Sequence, residues 1–192
     1  MVRIDRVHTG GGDSGESSLV DGSRRSKSDA RFSVVGDCDE LNSLLGVARM
    51  ECARVPMRHR DGGDRKGAGR VHFICDSALS RVQHELFDLG AELACPPENL
   101  PEYMVLINED QSEVLVSDMD AWLSQTEPLT SFILPAGGPP QAMLQHARTV
   151  ARRLERNIVA LRDIEGEGSV RPLALTYVNR LSDWLFVLSR WI

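Results

Sequence analysis

Two groups of residues in this chain have the types and spacings that grip phosphate. Near the N-terminus, Gly10-Gly11-Gly12-Asp13-Ser14-Gly15 puts four glycines into six positions, and glycine lets successive backbone N–H groups converge on an anion. Thr9, Ser17, Ser18 and Lys27 add hydroxyls and a cation to the same arm. The second group is Arg148, Arg152, Glu155 and Arg156, whose spacing of three and four places them on one side of a helix. Over 148–156 there are four arginines, with Arg153 the fourth, against one glutamate. The planar guanidinium fork suits phosphate. Asn179 and Asp183, four apart, share a face of a later helix.

Other chemistries are excluded by what these residues lack. Gly10, Gly12 and Gly15 match the letters of the dinucleotide fingerprint G-x-G-x-x-G, but Glu16-Ser17-Ser18-Leu19-Val20-Asp21-Gly22 follows instead of an apolar helix, and no strand–helix alternation occurs downstream. There is no G-x-x-x-x-G-K-[ST]. No Ser/His/Asp constellation and no paired-carboxylate site is apparent. From composition alone the arm could equally be a flexible Gly/Ser tail, and the arginine face a solvated surface with i,i+4 ion pairs.

The elements that would position these groups are helical. Residues 1–36 lack periodicity and read as a loop arm with a short extended piece. Asp37 with Glu40 three residues on reads as a capping box, and Leu41, Leu44, Leu45, Ala48 and Cys52 carry an apolar stripe, giving a helix from about Cys38 to Arg54. Residues 55–70, with four glycines, one proline and many charges, read as a flexible linker. A long amphipathic helix follows from Val71 to Leu93, stopped by Pro96-Pro97. A shorter helix contains Leu115, Met119, Trp122 and Leu123. Phe132 to Pro140 is an apolar then rigid turn that opens a fourth helix, about Gln141 to Arg162. The fifth runs from about Arg171 to Arg190. The expectation is an all-α, four- to five-helix up-and-down bundle with a Gly-rich N-terminal arm, residues 1–192 forming a single domain.

Composition sets limits on what this bundle does. The chain has 192 residues, with 22 Lys+Arg against 28 Asp+Glu and a net charge of −6. That balance argues against a nucleic-acid binder. No apolar stretch approaches the ~20 residues a bilayer needs, and Met1 to Arg6 precede no apolar signal region. No membrane association and a cytoplasmic location are expected. Cys38, Cys52, Cys75 and Cys95 are far apart, without C-x-x-C or zinc-ligand spacing, and read as small buried hydrophobes in a reducing compartment.

Three separated blocks resemble the trimeric helical-bundle (PduO) type of ATP:cob(I)alamin adenosyltransferase. The first is Thr9 to Leu19 with Gly22, Arg24 and Lys27, then Gly36-Asp37-Cys38-Asp39-Glu40-Leu41-Asn42. The second is Phe132-Ile133-Leu134-Pro135-Ala136-Gly137-Gly138 with Ala147 to Arg156, and the third is Tyr177 to Phe186. The resemblance covers most of the chain. It implies transfer of the 5′-deoxyadenosyl group of ATP to reduced cobalamin, with release of triphosphate. It implies ATP contacts at Thr9, Gly10, Gly11, Gly12, Asp13, Gly15, Ser17, Ser18, Lys27, Arg152, Arg153, Glu155, Arg156 and Asn179. Phe132 and Asp183 fall on the corrinoid side, and Asp39 is implied to pair with Arg148 across a subunit boundary of a homotrimer. Arg152, Phe132 and Lys27 are the residues on which turnover should depend most. Mg²⁺ is expected on the ATP phosphates without a protein ligand cluster. A flavoprotein reductase is the kind of electron donor the resemblance admits. Gly10 stands where Arg or Lys is usual, Gln145 where histidine is common and Ala136 where glycine is usual, while 55–70 looks like an insertion.

This reading accounts for the missing acid–base groups. Cob(I)alamin is itself the nucleophile and needs no deprotonation, so the protein must hold cobalt in line with C5′ and stabilise the departing triphosphate. Lys27 on the arm and Arg152 on the helix are expected to face one triphosphate. The alternative is a non-catalytic bundle that binds ATP or a corrinoid for sensing or delivery.

Overall fold

The apolar stripe of the first helix extends one turn further back than Asp37, through Val34, and the chain becomes helical there. In a computed structural model that describes residues 8–192, α1 spans Ala30–Ala53, capped by Asp29, whose carboxylate accepts from the Arg31 N–H at 2.8 Å. Met1 to Arg6, read above for a signal region, lie outside the described residues. Val34, Cys38, Leu41 and Leu45 form the buried stripe of α1. Two expectations are corrected. The arm ends at residue 29 instead of 36, and Asp37 with Glu40 is no capping box. Asp37 accepts from Arg153 Nε at 2.9 Å and Asn157 Nδ2 at 2.6 Å, and Glu40 also pairs with Arg153. The Arg153 guanidinium and the Asn157 amide of a neighbouring helix satisfy these carboxylates in place of backbone N–H groups, the former with a charge-assisted bond.

The extended piece of the arm is a hairpin. β1 (Glu16–Ser18) pairs antiparallel with β2 (Arg24–Ser26), with Ser17 opposite Arg25. Its turn is tucked in by buried Leu19 and by Val20 N–H donating to Ala94 O at 3.1 Å.

α2 spans Ala68–Leu93, α3 Glu109–Leu123, α4 Pro139–Glu165 and α5 Pro172–Trp191. The 55–70 segment is shorter and more ordered than a featureless linker, since Ala68 already belongs to α2. Arg58 and Asp64 form a bridge, closed by His59 N–H to Gly63 O at 2.7 Å and Arg65 N–H to Met57 O at 2.8 Å. A capping box does exist at α3, where Asn108 caps and Gln111 reciprocates. In α4 and α5 a proline occupies the first turn, where its missing N–H costs nothing.

Side-chain contacts fix the topology. Asn42 with Gln83 and Arg49 with Asp76 run α1 and α2 antiparallel. Arg31 with Glu165 and Asp37 with Asn157 do the same for α1 and α4. Gln145 with Ser189 and Glu155 with Asn179 do it for α4 and α5, while α3 lies beside α5 through Trp122, Trp184 and Trp191. The all-α up-and-down bundle is the observed fold. Its core is one cluster to which all five helices contribute, with Leu41, Leu79, Leu115, Leu154 and Trp184 all buried. Each such side chain contributes about 1.5–3 kcal/mol by leaving water. A polar clamp crosses this core: Tyr177 Oη donates to Glu85 at 2.8 Å, and Trp184 Nε1 donates to Asp118 at 3.0 Å. Arg81 joins the two carboxylates.

Candidate functional site

The glycine arm is organised by two cations of its own hairpin. Lys27 Nζ donates to Gly12 O at 2.8 Å, and Arg24 donates to Gly11 O at 2.8 Å. Gly12 allows the first approach as it stands, since a Cβ there would sit 2.8 Å from Lys27 Nζ and displace the end of that side chain. Gly10 and Gly15 take positive φ values of 71° and 85°, which bend the segment into successive turns. Asp13 N–H donates to Gly10 O and Gly15 N–H to Gly12 O, both at 3.2 Å. Thr9, Asp13 and Ser18 are exposed along this segment and Ser17 is half-buried. The arm thus offers backbone donors, hydroxyls and an exposed ammonium at one place.

The helical half of the candidate site is a strip along the α4–α5 seam. Antiparallel register brings Asn179 Nδ2 to Glu155 at 2.8 Å, and Arg180 donates to Asn179 Oδ1 at 3.0 Å. Arg152 and Arg156 are exposed, linked by Arg156 donating to Arg152 O at 3.0 Å, and make no ion pair among the described residues. Asp183 is exposed on the same seam, one turn beyond Asn179. Arg153 is different. It points to α1, where Asp37 and Glu40 hold its guanidinium and raise its pKa further. Arg153 thus ties α4 to α1, whereas the resemblance implies it among the ATP contacts.

Further along the seam lies a groove of about 460 Å³ lined by Leu129–Ile133, Arg148 and Phe186. Phe132 stands fully exposed on its rim, at 105%. Arg148 is oriented from below: Ser189 Oγ accepts from Gln145 Nε2 at 2.7 Å, Gln145 Oε1 accepts from Arg148 Nε at 2.9 Å, and the guanidinium lies 5.8 Å from the Phe186 ring. Phe186 and Gln145 belong to the site as the structure builds it and were missed as site residues. The signal for Phe186 was its spacing, seven residues after Asn179 on the same face.

Not all predicted partners meet within one chain. Asp39 is exposed in a separate groove between α1 and α2, with Phe32, Val35, Asn42 and Phe87, and makes no contact with Arg148 there. The arm also does not face Arg152. Arg25 ties the hairpin to Glu165, at the end of α4. Arg152 lies thirteen residues earlier in that helix, about 20 Å at ~1.5 Å per residue. No hydrogen bond or ion pair joins Lys27 to the arginine strip among the described residues.

Acids and thiols whose pKa values are raised lie away from the arginine seam. Burial raises the Glu85 carboxyl against the hydrogen bond from Tyr177, raises Glu92 beside Arg171, and pushes the Cys38 thiol up to about 12. All four cysteines are free and buried. Among the described residues no three His, Cys, Asp or Glu side chains gather to hold a metal, and no helix is long and apolar enough to cross a membrane. The exposed surface is equipped to grip an anion and to stack against a flat apolar group.

Comparison with known proteins gives this surface its context. The family model described as cobalamin adenosyltransferase matches residues 7–192. The corrinoid adenosyltransferase of Mycobacterium tuberculosis is 39% identical over 190 residues, covering 98% of this chain and 89% of that protein. The corrinoid adenosyltransferase of Bacillus subtilis is 35% identical over 185 residues, covering 96% and 85%. A variant of the PduO-type ATP:corrinoid adenosyltransferase from Lactobacillus reuteri, solved with cobalamin and ATP, superposes with a TM-score of 0.81 at 27% identity, covering 97% of this chain and 92% of that one. The arm, the arginine seam and the bundle that carries them are matched along almost their whole length, and the chain belongs to the cobalamin adenosyltransferase family.

Proposed function

We propose that this chain transfers the 5′-deoxyadenosyl group of ATP to the cobalt of a reduced corrinoid. The electron pair of Co(I) forms the Co–C5′ bond, the C5′–O bond breaks, and its electrons leave on triphosphate. The observation that carries this reading is a single continuous seam. It runs from exposed Arg152 and Arg156, through Asn179 and Asp183, to the groove of Arg148, Phe186 and fully exposed Phe132. One end suits polyanionic charge and the other a flat apolar ring, with no acid–base residue needed between them.

Lys27 and Arg152 are assigned to the triphosphate, where charge grows as the bond breaks. Loss of one preorganised contact of this kind costs ~100- to 1000-fold in rate. Thr9, Gly10, Gly11, Gly12, Asp13, Gly15, Ser17 and Ser18 wrap the phosphates from the arm, and Glu155 with Asn179 receives the nucleoside. Phe132 and Asp183 meet the corrinoid. Mg²⁺ would sit on phosphate oxygens held by the N–H, hydroxyl and ammonium groups of the arm, where Asp13 is the one carboxylate of the Gly10–Gly15 segment; bound there, it would neutralise leaving-group charge. Because the arm and Arg152 lie apart in one chain, the complete site draws on two copies, and Asp39 of one is assigned to Arg148 of the next in a homotrimer. A single bundle domain working in the cytoplasm, with a flavoprotein reductase supplying electrons, completes the reading.

The test is direct. Protein, ATP, Mg²⁺ and chemically reduced cobalamin are mixed, and absorbance is followed as the Co–C bond forms. A carrier or sensor would bind both ligands without forming that bond, and this outcome would replace the transferase reading.

A further inference from the structure

The arm reaches the bundle through few contacts, and one is made by a residue that no motif marks. At the turn of the hairpin, Leu19 is buried, and Asp21 accepts from Asn99 Nδ2 at 2.9 Å. At its other end, β2 presents Arg24 and Arg25 to opposite sides, as alternate strand residues must. Arg24 reaches back to Gly11 O and orders the glycine segment. Arg25 reaches the bundle, where it bonds Glu165 at the end of α4 and also approaches Asp29 at 3.5 Å.

Glu165 is itself fixed from the core side. Its second oxygen pairs with Arg31, a guanidinium only 1% exposed. Arg31 also donates to Leu93 O at 3.0 Å and Ser169 O at 3.1 Å, locking three helix ends to one cation. Burial opposes ionisation of Glu165, yet the bonds from Arg31 and Arg25 hold its carboxyl below the usual carboxylate range. The carboxylate is thus a rigid post with one oxygen turned to the core and one to the arm. The Gly10–Gly15 turns, by contrast, bond to the hairpin and its own neighbours.

We propose that Glu165, acting through Arg25, is a positioning residue for the nucleotide arm: it sets where the Lys27–Gly12 cradle stands relative to the bundle. This rests on the reading of the arm as the triphosphate site. Neither residue touches the substrate, so the pair should govern how well ATP is captured and leave corrinoid binding alone.

The experiment compares the full-length wild type with Arg25→Ala, Arg25→Lys and Lys27→Ala in steady-state adenosyl transfer, with thermal unfolding in parallel. Arg25→Ala leaves the Arg31–Glu165 bond in place, so the fold is retained. The expected result is a KM for ATP raised about tenfold, as loss of a partly shielded charge-assisted bond would give. KM for cobalamin and Tm should be unchanged, and Arg25→Lys should recover most of the loss. An unchanged KM for ATP in Arg25→Ala, while Lys27→Ala lowers kcat/KM for ATP, overturns the positioning role and leaves the arm as the nucleotide site. An unchanged kcat/KM for ATP in Lys27→Ala removes the nucleotide reading of the arm and this inference with it. A fall in Tm with equal losses toward both substrates makes Arg25 merely structural, and also overturns the proposal.

Discussion

Neighbouring arginines on α4 illustrate how little residue type says about role. Arg152 and Arg153 are adjacent in sequence, but the ~100° turn per residue sends one to solvent beside Asn179 and the other into the carboxylates of α1. Arg152→Ala is expected to lower kcat by ~100- to 1000-fold while leaving Tm unchanged. Arg153→Ala should shift stability instead, by under about 1 kcal/mol because its partners are partly exposed, and should leave kcat within a few-fold of wild type. Paired thermal melts and turnover measurements check the contrast; equal kinetic losses for both would dissolve it. Phe132 makes a third case. Its ring buries nothing in the isolated chain, so Phe132→Ala should leave Tm and ATP binding as they are and remove most turnover with cobalamin. Retained turnover would contradict its assignment to the corrinoid.

Helix ends and helix contacts decide the next scale. The clamp of Tyr177, Glu85, Arg81, Asp118 and Trp184 ties α2, α5 and α3 together. Burial raises the Glu85 pKa despite its bond from Tyr177, so this group favours the folded state least when ionised. The folded pKa lies above the unfolded value; its penalty is absent below the unfolded pKa, about 4.5, and develops as pH rises through the folded one. Tyr177→Phe removes the bond that partly offsets it. The loss should be about 1.5–3 kcal/mol where Glu85 is ionised and smaller where it is protonated. Denaturant unfolding at pH 8 and at pH 4, below the unfolded value, reads this directly; an equal loss at both would mean Glu85 does not titrate between them. Glu165 works in the opposite sense. Its depressed pKa stabilises the fold above the unfolded value and that contribution disappears as pH falls through the folded one.

For the whole molecule, the separation of the arm from Arg152 makes assembly a requirement of the proposed chemistry. Asp39 sits in a groove with exposed Phe87 and half-buried Phe32 beside it, while Arg148 lies on the far seam over Phe186. Reversing either charge, as Asp39→Arg or Arg148→Asp, should weaken association and turnover together, and the double reversal should restore part of both. Sedimentation should give three times the 21.3 kDa chain for the wild type. A double-mutant cycle without coupling, or a monomer with full activity, would remove the pairing.

The residue pattern by itself determined a bundle of four to five helices and the order of its elements, while the three blocks came from resemblance to a family. The elements are set by local periodicity, by prolines that open helices and by glycines that permit turns, all readable within a few positions. It misplaced the start of α1 and the role of Asp37, because a capping box and an interhelical ion pair use the same letters. Only the partner, Arg153 of α4, distinguishes them. The bond of Gln145 to Ser189 and those of Arg25 and Arg31 to Glu165 join residues between 44 and 140 positions apart, a distance at which no local signal survives. The tertiary structure alone decided that the arm and the arginine strip do not meet within one chain. Antiparallel packing fixes the arm at the end of α4, and the length of that helix keeps Arg152 away from it.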